Sequence, residues 1–72
     1  MHLESVTDTR RLIRMKDVAR KTAISRKSIY RLIAARRFPQ PVRLSADIVA
    51  FVEVEVDAWI DERKAERATS AA

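Results

Sequence analysis

None of the 72 residues is glycine, so every reversal of the chain must be made by residues whose Cβ disfavours positive φ. A two-residue hairpin turn of the primed types, which needs positive φ at its centre, would be strained here, and any β-turn is expected to be longer or irregular. A glycine-rich loop cradling a phosphate is excluded for the same reason. The chain also lacks cysteine, which removes a disulfide framework and a thiolate metal site. A small hydrophobic core must hold the fold, with a stability of roughly 3–5 kcal/mol. With 47% hydrophobic and 35% charged residues, the chain is too apolar for disorder and too charged for a membrane span, and reads as one soluble globular domain.

The net charge of +5 and the pI near 10.5 point to an anionic partner. Its distribution says more. Residues 10–43 carry 12 basic side chains and one acidic one, Asp17, whereas residues 44–72 carry 3 basic and 7 acidic ones. A face built from the middle of the chain is therefore strongly positive, and the C-terminal third is acidic and turned elsewhere.

Residues 1–10 are polar and aperiodic, and 65–72 end in Thr69-Ser70-Ala71-Ala72. Both ends are expected to be flexible, leaving residues 11–64 as the domain. Leu12-Ile13-Arg14 suits an extended segment. Met15, Val18, Ala19 and Thr22 then follow the helical period, predicting a first helix over 15–22. Ser25 is placed to N-cap a second helix that starts at Arg26 and buries Ile29, Leu32 and Ile33. Phe38-Pro39 is expected to end it, because a proline pushes its predecessor out of the α region. Two helices, a tight turn and a basic second helix make a helix-turn-helix.

Val42-Arg43-Leu44 and Ile48 to Val52 are β-prone runs around Ser45-Ala46-Asp47, which predicts a hairpin with an irregular turn. From Glu53 to Arg67, Val56, Trp59 and Ile60 share one face of a third, amphipathic helix with acids at its start and bases at its end. Trp59, Phe51 and Phe38 are read as core. The predicted fold is mainly α with a small β-hairpin.

The residues do not suggest an enzyme. The single histidine, His2, lies in the aperiodic N-terminal stretch, and the carboxylates crowd one helix, so no catalytic set, metal site or cofactor site is expected. What remains is the basic second helix. With Ile29, Leu32 and Ile33 inward, Arg26, Lys27, Tyr30 and Arg31 face outward on its N-terminal half, where a recognition helix reads base edges in the major groove of double-stranded DNA. Ser25 and Ser28 stand beside them at the helix N-terminus, which favours phosphate. Arg36, Arg37 and Arg43 bracket the hairpin with phosphate-reaching charge. The competing reading is a solvated basic face, with the Tyr30 ring packed in part on the core.

Arg11-Leu12-Ile13-Arg14-Met15-Lys16-Asp17-Val18, Ile24-Ser25-Arg26-Lys27-Ser28-Ile29-Tyr30-Arg31, Arg37-Phe38-Pro39-Gln40-Pro41-Val42 and Val56-Asp57-Ala58-Trp59-Ile60 together resemble the AlpA family of small phage-type regulators. The resemblance covers nearly all of 11–64. It implies a winged helix-turn-helix similar to MerR-type and excisionase domains of prophages and integrative elements. Such proteins regulate transcription, often of integrase genes, or act as excision factors. By matching motif, the second helix, over about 26–37, enters the major groove with Arg26, Lys27, Tyr30 and Arg31, and Arg43 with the wing meets the adjacent backbone or minor groove. One departure stands out. Family members commonly have a glycine in the wing turn and an aromatic, often Trp, ending the next strand. Here Phe51 can take the aromatic's place, but Asp47 sets a negative charge where a wing would meet phosphate, which argues against a DNA contact by the wing.

The expected function is a sequence-specific DNA-binding transcriptional regulator. The alternatives are an excision factor that bends attachment-site DNA beside an integrase, and a protein-interaction module whose acidic third helix docks a basic partner. A single such domain reads about one half-site, so a homodimer or cooperative binding on repeated sites stays open. No secretory signal and no apolar run long enough to span a membrane are apparent, which leaves the cytoplasm as the expected location.

Overall fold

The computed structural model describes residues 8–70. Residues 1–7, with His2, and the last two residues of the C-terminal tail lie outside them. The elements run β1 (Leu12–Ile13), α1 (Met15–Thr22), α2 (Arg26–Ala34), β2 (Val42–Arg43), β3 (Val49–Val52) and α3 (Glu53–Ser70). The architecture is mainly α with a small antiparallel sheet, as expected. The sheet, however, has three strands in the order β1-β3-β2, not the two of a hairpin. Leu12 pairs with Val52 and Ile13 with Phe51 on one side of β3, while Val42 pairs with Ala50 and Arg43 with Val49 on the other.

Ile13 and Phe51 stand opposite each other on one face of the sheet, and with Val18, Ile29, Phe38 and Val56 they form the buried core. One apolar residue from nearly every element closes this core, which is what a chain of this size needs in place of staples. Met15, Ala19, Ile24, Leu32, Ile33 and Ile60 pack around it half-buried. The Phe38 and Phe51 rings meet edge to face with centroids 6.1 Å apart.

The turn between α1 and α2 has to manage without glycine. Ala23 takes the left-handed conformation at φ 62° and donates its N–H to Ala19 O at 2.8 Å. The Thr22 hydroxyl donates to Val18 O at 2.8 Å and accepts the Ile24 N–H at 3.2 Å, which fixes the chain as it leaves the helix. Ser25 then caps α2, accepting the Ser28 N–H at 3.2 Å.

The end of α2 differs from the expected one. The helix stops at Ala34, ahead of Phe38-Pro39, because Arg36 adopts φ 61° and closes a paired C-terminal lock: Arg36 N–H to Ile33 O at 3.0 Å and Arg37 N–H to Leu32 O at 2.9 Å. This pairing is the Schellman motif, with an arginine where glycine is usual. Gln40 reinforces it, donating from its amide nitrogen to Ile33 O at 3.2 Å and Phe38 O at 3.1 Å. Arg36 and Arg37 therefore lie beyond the helix, in the turn that follows it.

The wing turn is the longer form that the lack of glycine demands. It spans Leu44 to Ile48, both Leu44 N–H and Ser45 N–H donate to Ile48 O at 2.8 and 3.2 Å, and no residue in it has positive φ. Helix α3 follows β3 without a linker, and its Glu53 N–H donates to Arg11 O at 2.8 Å. It continues to Ser70, past the end at Arg67 that the periodicity indicated, although every side chain from Asp61 to Ala68 is exposed. Pairs at i, i+3 support that stretch, Arg63 with Glu66 at 2.7 Å and Lys64 with Asp61 at 3.7 Å.

Candidate nucleic-acid interface

The outward face of α2 is a consequence of its buried one. Fixing Ile29 at zero exposure, with Leu32 and Ile33 half-buried, forces Arg26, Lys27, Tyr30 and Arg31 to the solvent side. At i, i+4 spacing they form two short ridges, Arg26 with Tyr30 and Lys27 with Arg31. Tyr30 is 56% exposed, so more than half of its surface faces solvent on this side of the helix. Ser25 and Ser28 behave differently from the arginines. Their hydroxyls bond each other at 3.2 Å and serve the cap, which makes them the scaffold of the face.

Between this helix, the start of α1 and the wing lies an open groove of about 350 Å³. It is lined by Arg14, Met15, Lys16, Arg26, Tyr30, Asp47 and Val49. Arg14 and Lys16 are thus site residues that the sequence reading did not single out. The basic run 10–43 contained them, but only the packing of α1 against α2 and β3 turns them toward α2.

The other predicted residues are more dispersed. Arg36 reaches Gln40 Oε1 at 3.4 Å, and Arg37 lends its carbonyl to the Trp59 indole N–H at 2.9 Å, so both are held at the far end of α2. Arg43 donates to Ala46 O at 3.3 Å and braces the wing turn. Trp59 is half-buried at the rim of the core, a correction to its reading as core. Its polar N–H needs an acceptor and finds one in Arg37, its ring packs on Phe38 at 4.9 Å, and the Arg63 guanidinium lies 5.0 Å from its centroid.

The charges sort into two populations. On the side of α3 most cations are matched, Arg67 excepted: Arg11 to Glu53 at 3.2 Å, Lys21 to Glu53 at 3.1 Å and to Asp57 at 2.9 Å, Arg63 to Glu66, and Lys64 to Asp61. Hydrogen bonds from Lys21 to Asp57 and then Glu53 hold its ammonium above its ordinary pKa of 10.5. A second depression, of about 340 Å³, lies here among Arg11, Asp17, Arg20, Lys21 and Glu53, with its charges largely neutralised. On the side of α2, Arg14, Lys16, Arg26, Lys27, Arg31 and Arg37 have no carboxylate partner among the described residues. A convex helix flanked by unneutralised guanidinium and ammonium groups can take a polyanion along its length.

Comparison with known proteins bears on this site. Residues 11–64 match the family model described as Prophage CP4-57 regulatory protein (AlpA). The chain is also 37% identical over 67 residues to an uncharacterized protein, ORF88, of Enterobacteria phage P4, covering 93% of this chain and 75% of that protein. No solved structure matches.

Proposed function

Because the chain belongs to the family of the AlpA prophage regulatory protein, we propose that it is a sequence-specific DNA-binding transcriptional regulator of a prophage or integrative element, acting in the cytoplasm. The observation that carries this reading is the sorting of charge. Most cations on the α3 side, from Arg11 and Lys21 to Arg63 and Lys64, are paired with carboxylates, and those on α2 and the start of α1 are left without them. Unpaired charge held on a rigid helix is what a duplex would neutralise.

In this reading α2 lies in the major groove. Arg26 and Arg31 are the residues able to fork onto guanine O6 and N7, while Lys27 and Tyr30 reach phosphate or base edges. Ser25 and Ser28 act through the cap that orients those side chains. Arg14 and Lys16 from α1, and Arg36, Arg37 and Arg43 from the two ends of the wing segment, take the flanking phosphates. One domain reads about one half-site, so a second copy on a neighbouring site is the expected partner.

Selection of bound sequences from a random duplex pool at fixed salt tests the reading, followed by a salt titration on the enriched site and on random DNA. An enriched motif is expected, and its repeat spacing reports the number of copies bound. Multiple phased sites with induced bending would favour an excision factor over a promoter regulator. Binding without enrichment, equally salt-sensitive on all duplexes, would overturn specific recognition and turn attention to a protein partner.

A further inference from the structure

Every charged side chain lining the groove between α1, α2 and the wing is a cation, except one. Asp47, in the wing turn, lines it with Arg14, Lys16, Arg26 and Tyr30. Its side chain is exposed and has no ion-pair partner among the described residues. In that it differs from Glu53 and Asp57, which are spent on Lys21. The wing turn does not depend on it, since Leu44, Ser45 and Arg43 supply the hydrogen bonds that close the loop.

An unmatched carboxylate beside the cations that would receive a phosphate strand opposes that strand. We propose that Asp47 sets the selectivity of the groove: its charge weakens any duplex held by phosphates alone, and the penalty is relieved where the duplex offers the carboxylate a base amino group. Cytosine and adenine present such a group in the major groove, and guanine in the minor groove. Specificity is a difference of affinities, and repulsion at the wrong sites builds it as effectively as attraction at the right one. This rests on the DNA-binding reading above and goes beyond it, because it turns the residue that argues against a wing contact into the one that discriminates.

The test compares the full chain with Asp47→Asn and Asp47→Glu, measuring affinity for the enriched duplex and for random duplex at two salt concentrations. Removing one like-charge contact at about 6 Å in a water-like medium should tighten random binding about threefold, with a salt slope steeper by about one. The enriched duplex should not tighten, so the ratio of the two affinities falls by the same factor, and Asp47→Glu should keep the ratio of the unaltered chain. Equal tightening on both duplexes, or no tightening on random DNA, overturns the role of Asp47. If the unaltered chain enriches no motif, the DNA-binding reading itself fails, whereas an enriched motif with an unchanged ratio defeats only this inference.

Discussion

Trp59 joins the turn after α2 to α3, and replacing it measures how firmly the arginines at that turn are held. Three contacts are at stake: the indole N–H to Arg37 O at 2.9 Å, the ring against Phe38 at 4.9 Å, and the Arg63 guanidinium 5.0 Å from the ring centroid. Trp59→Phe keeps most of the ring packing and loses the hydrogen bond. The freed Arg37 carbonyl can turn to water because the bond is exposed, so the cost should be about 1 kcal/mol. Trp59→Ala also removes roughly 120 Å² of buried apolar surface, about 3 kcal/mol at about 25 cal/mol per Å². The aromatic and cation contacts overlap with that burial and do not add fully, so the total should be about 3–5 kcal/mol, close to the whole stability of such a domain. Urea titrations followed by circular dichroism, which does not depend on the lost fluorophore, should show a modest shift for the phenylalanine variant and little or no folded baseline for the alanine one. Equal costs for the two variants, or midpoints unchanged in both, would refute the assignment of Trp59 as a rim residue anchored through its nitrogen.

Three further outcomes are expected. Ala23→Gly should raise stability by about 0.5–1 kcal/mol, since Ala23 is exposed and left-handed at φ 62° and glycine takes that conformation without the Cβ penalty; a lower melting temperature would contradict it. Arg31→Ala should weaken the selected site by about 1–3 kcal/mol and relax its sequence preference, with an unchanged melting curve because the side chain is exposed and unpaired. Lys21 has a raised pKa in the folded state through Asp57 and Glu53, so its stabilisation is complete below its ordinary value of 10.5 and is lost as pH rises through the higher folded value. The stability difference between the unaltered chain and Lys21→Met should accordingly be constant through neutral pH and narrow on the alkaline side, which thermal melts from neutral to alkaline pH will show.

Much of the fold can be read from local signals. Ser25 lies between two helical periods, and its cap bond to Ser28 is the one the sequence implied. The absence of glycine likewise anticipated a longer or irregular wing turn, which the structure makes from Leu44 to Ile48 with no positive φ. What escaped the sequence depends on contacts between distant segments. Leu12 and Ile13 read as extended, but two residues carry no periodicity that would reveal their pairing with Val52 and Phe51, which makes them the third strand β1. The end of α2 is set by Arg36 in a conformation that its residue type disfavours, made tolerable by the hydrogen bonds of Arg37 and Gln40. Trp59 lies at the rim because that same turn leaves Arg37 O within reach of the indole. In the candidate site, the four outward residues of α2 follow directly from the buried position of Ile29. Arg14, Lys16 and the orientation of Asp47 toward them required the packing of α1 and the wing around the helix.

Backbone amide shifts of the full chain, followed by NMR during titration with its enriched duplex, report which face of the domain meets DNA. Perturbations should concentrate on Arg26 to Arg31 and on Arg14, Lys16 and Asp47, while Asp57, Asp61 and Glu62 of α3 stay in place. Perturbations centred on α3, with α2 unmoved, would contradict the proposed interface and make the acidic helix the working surface.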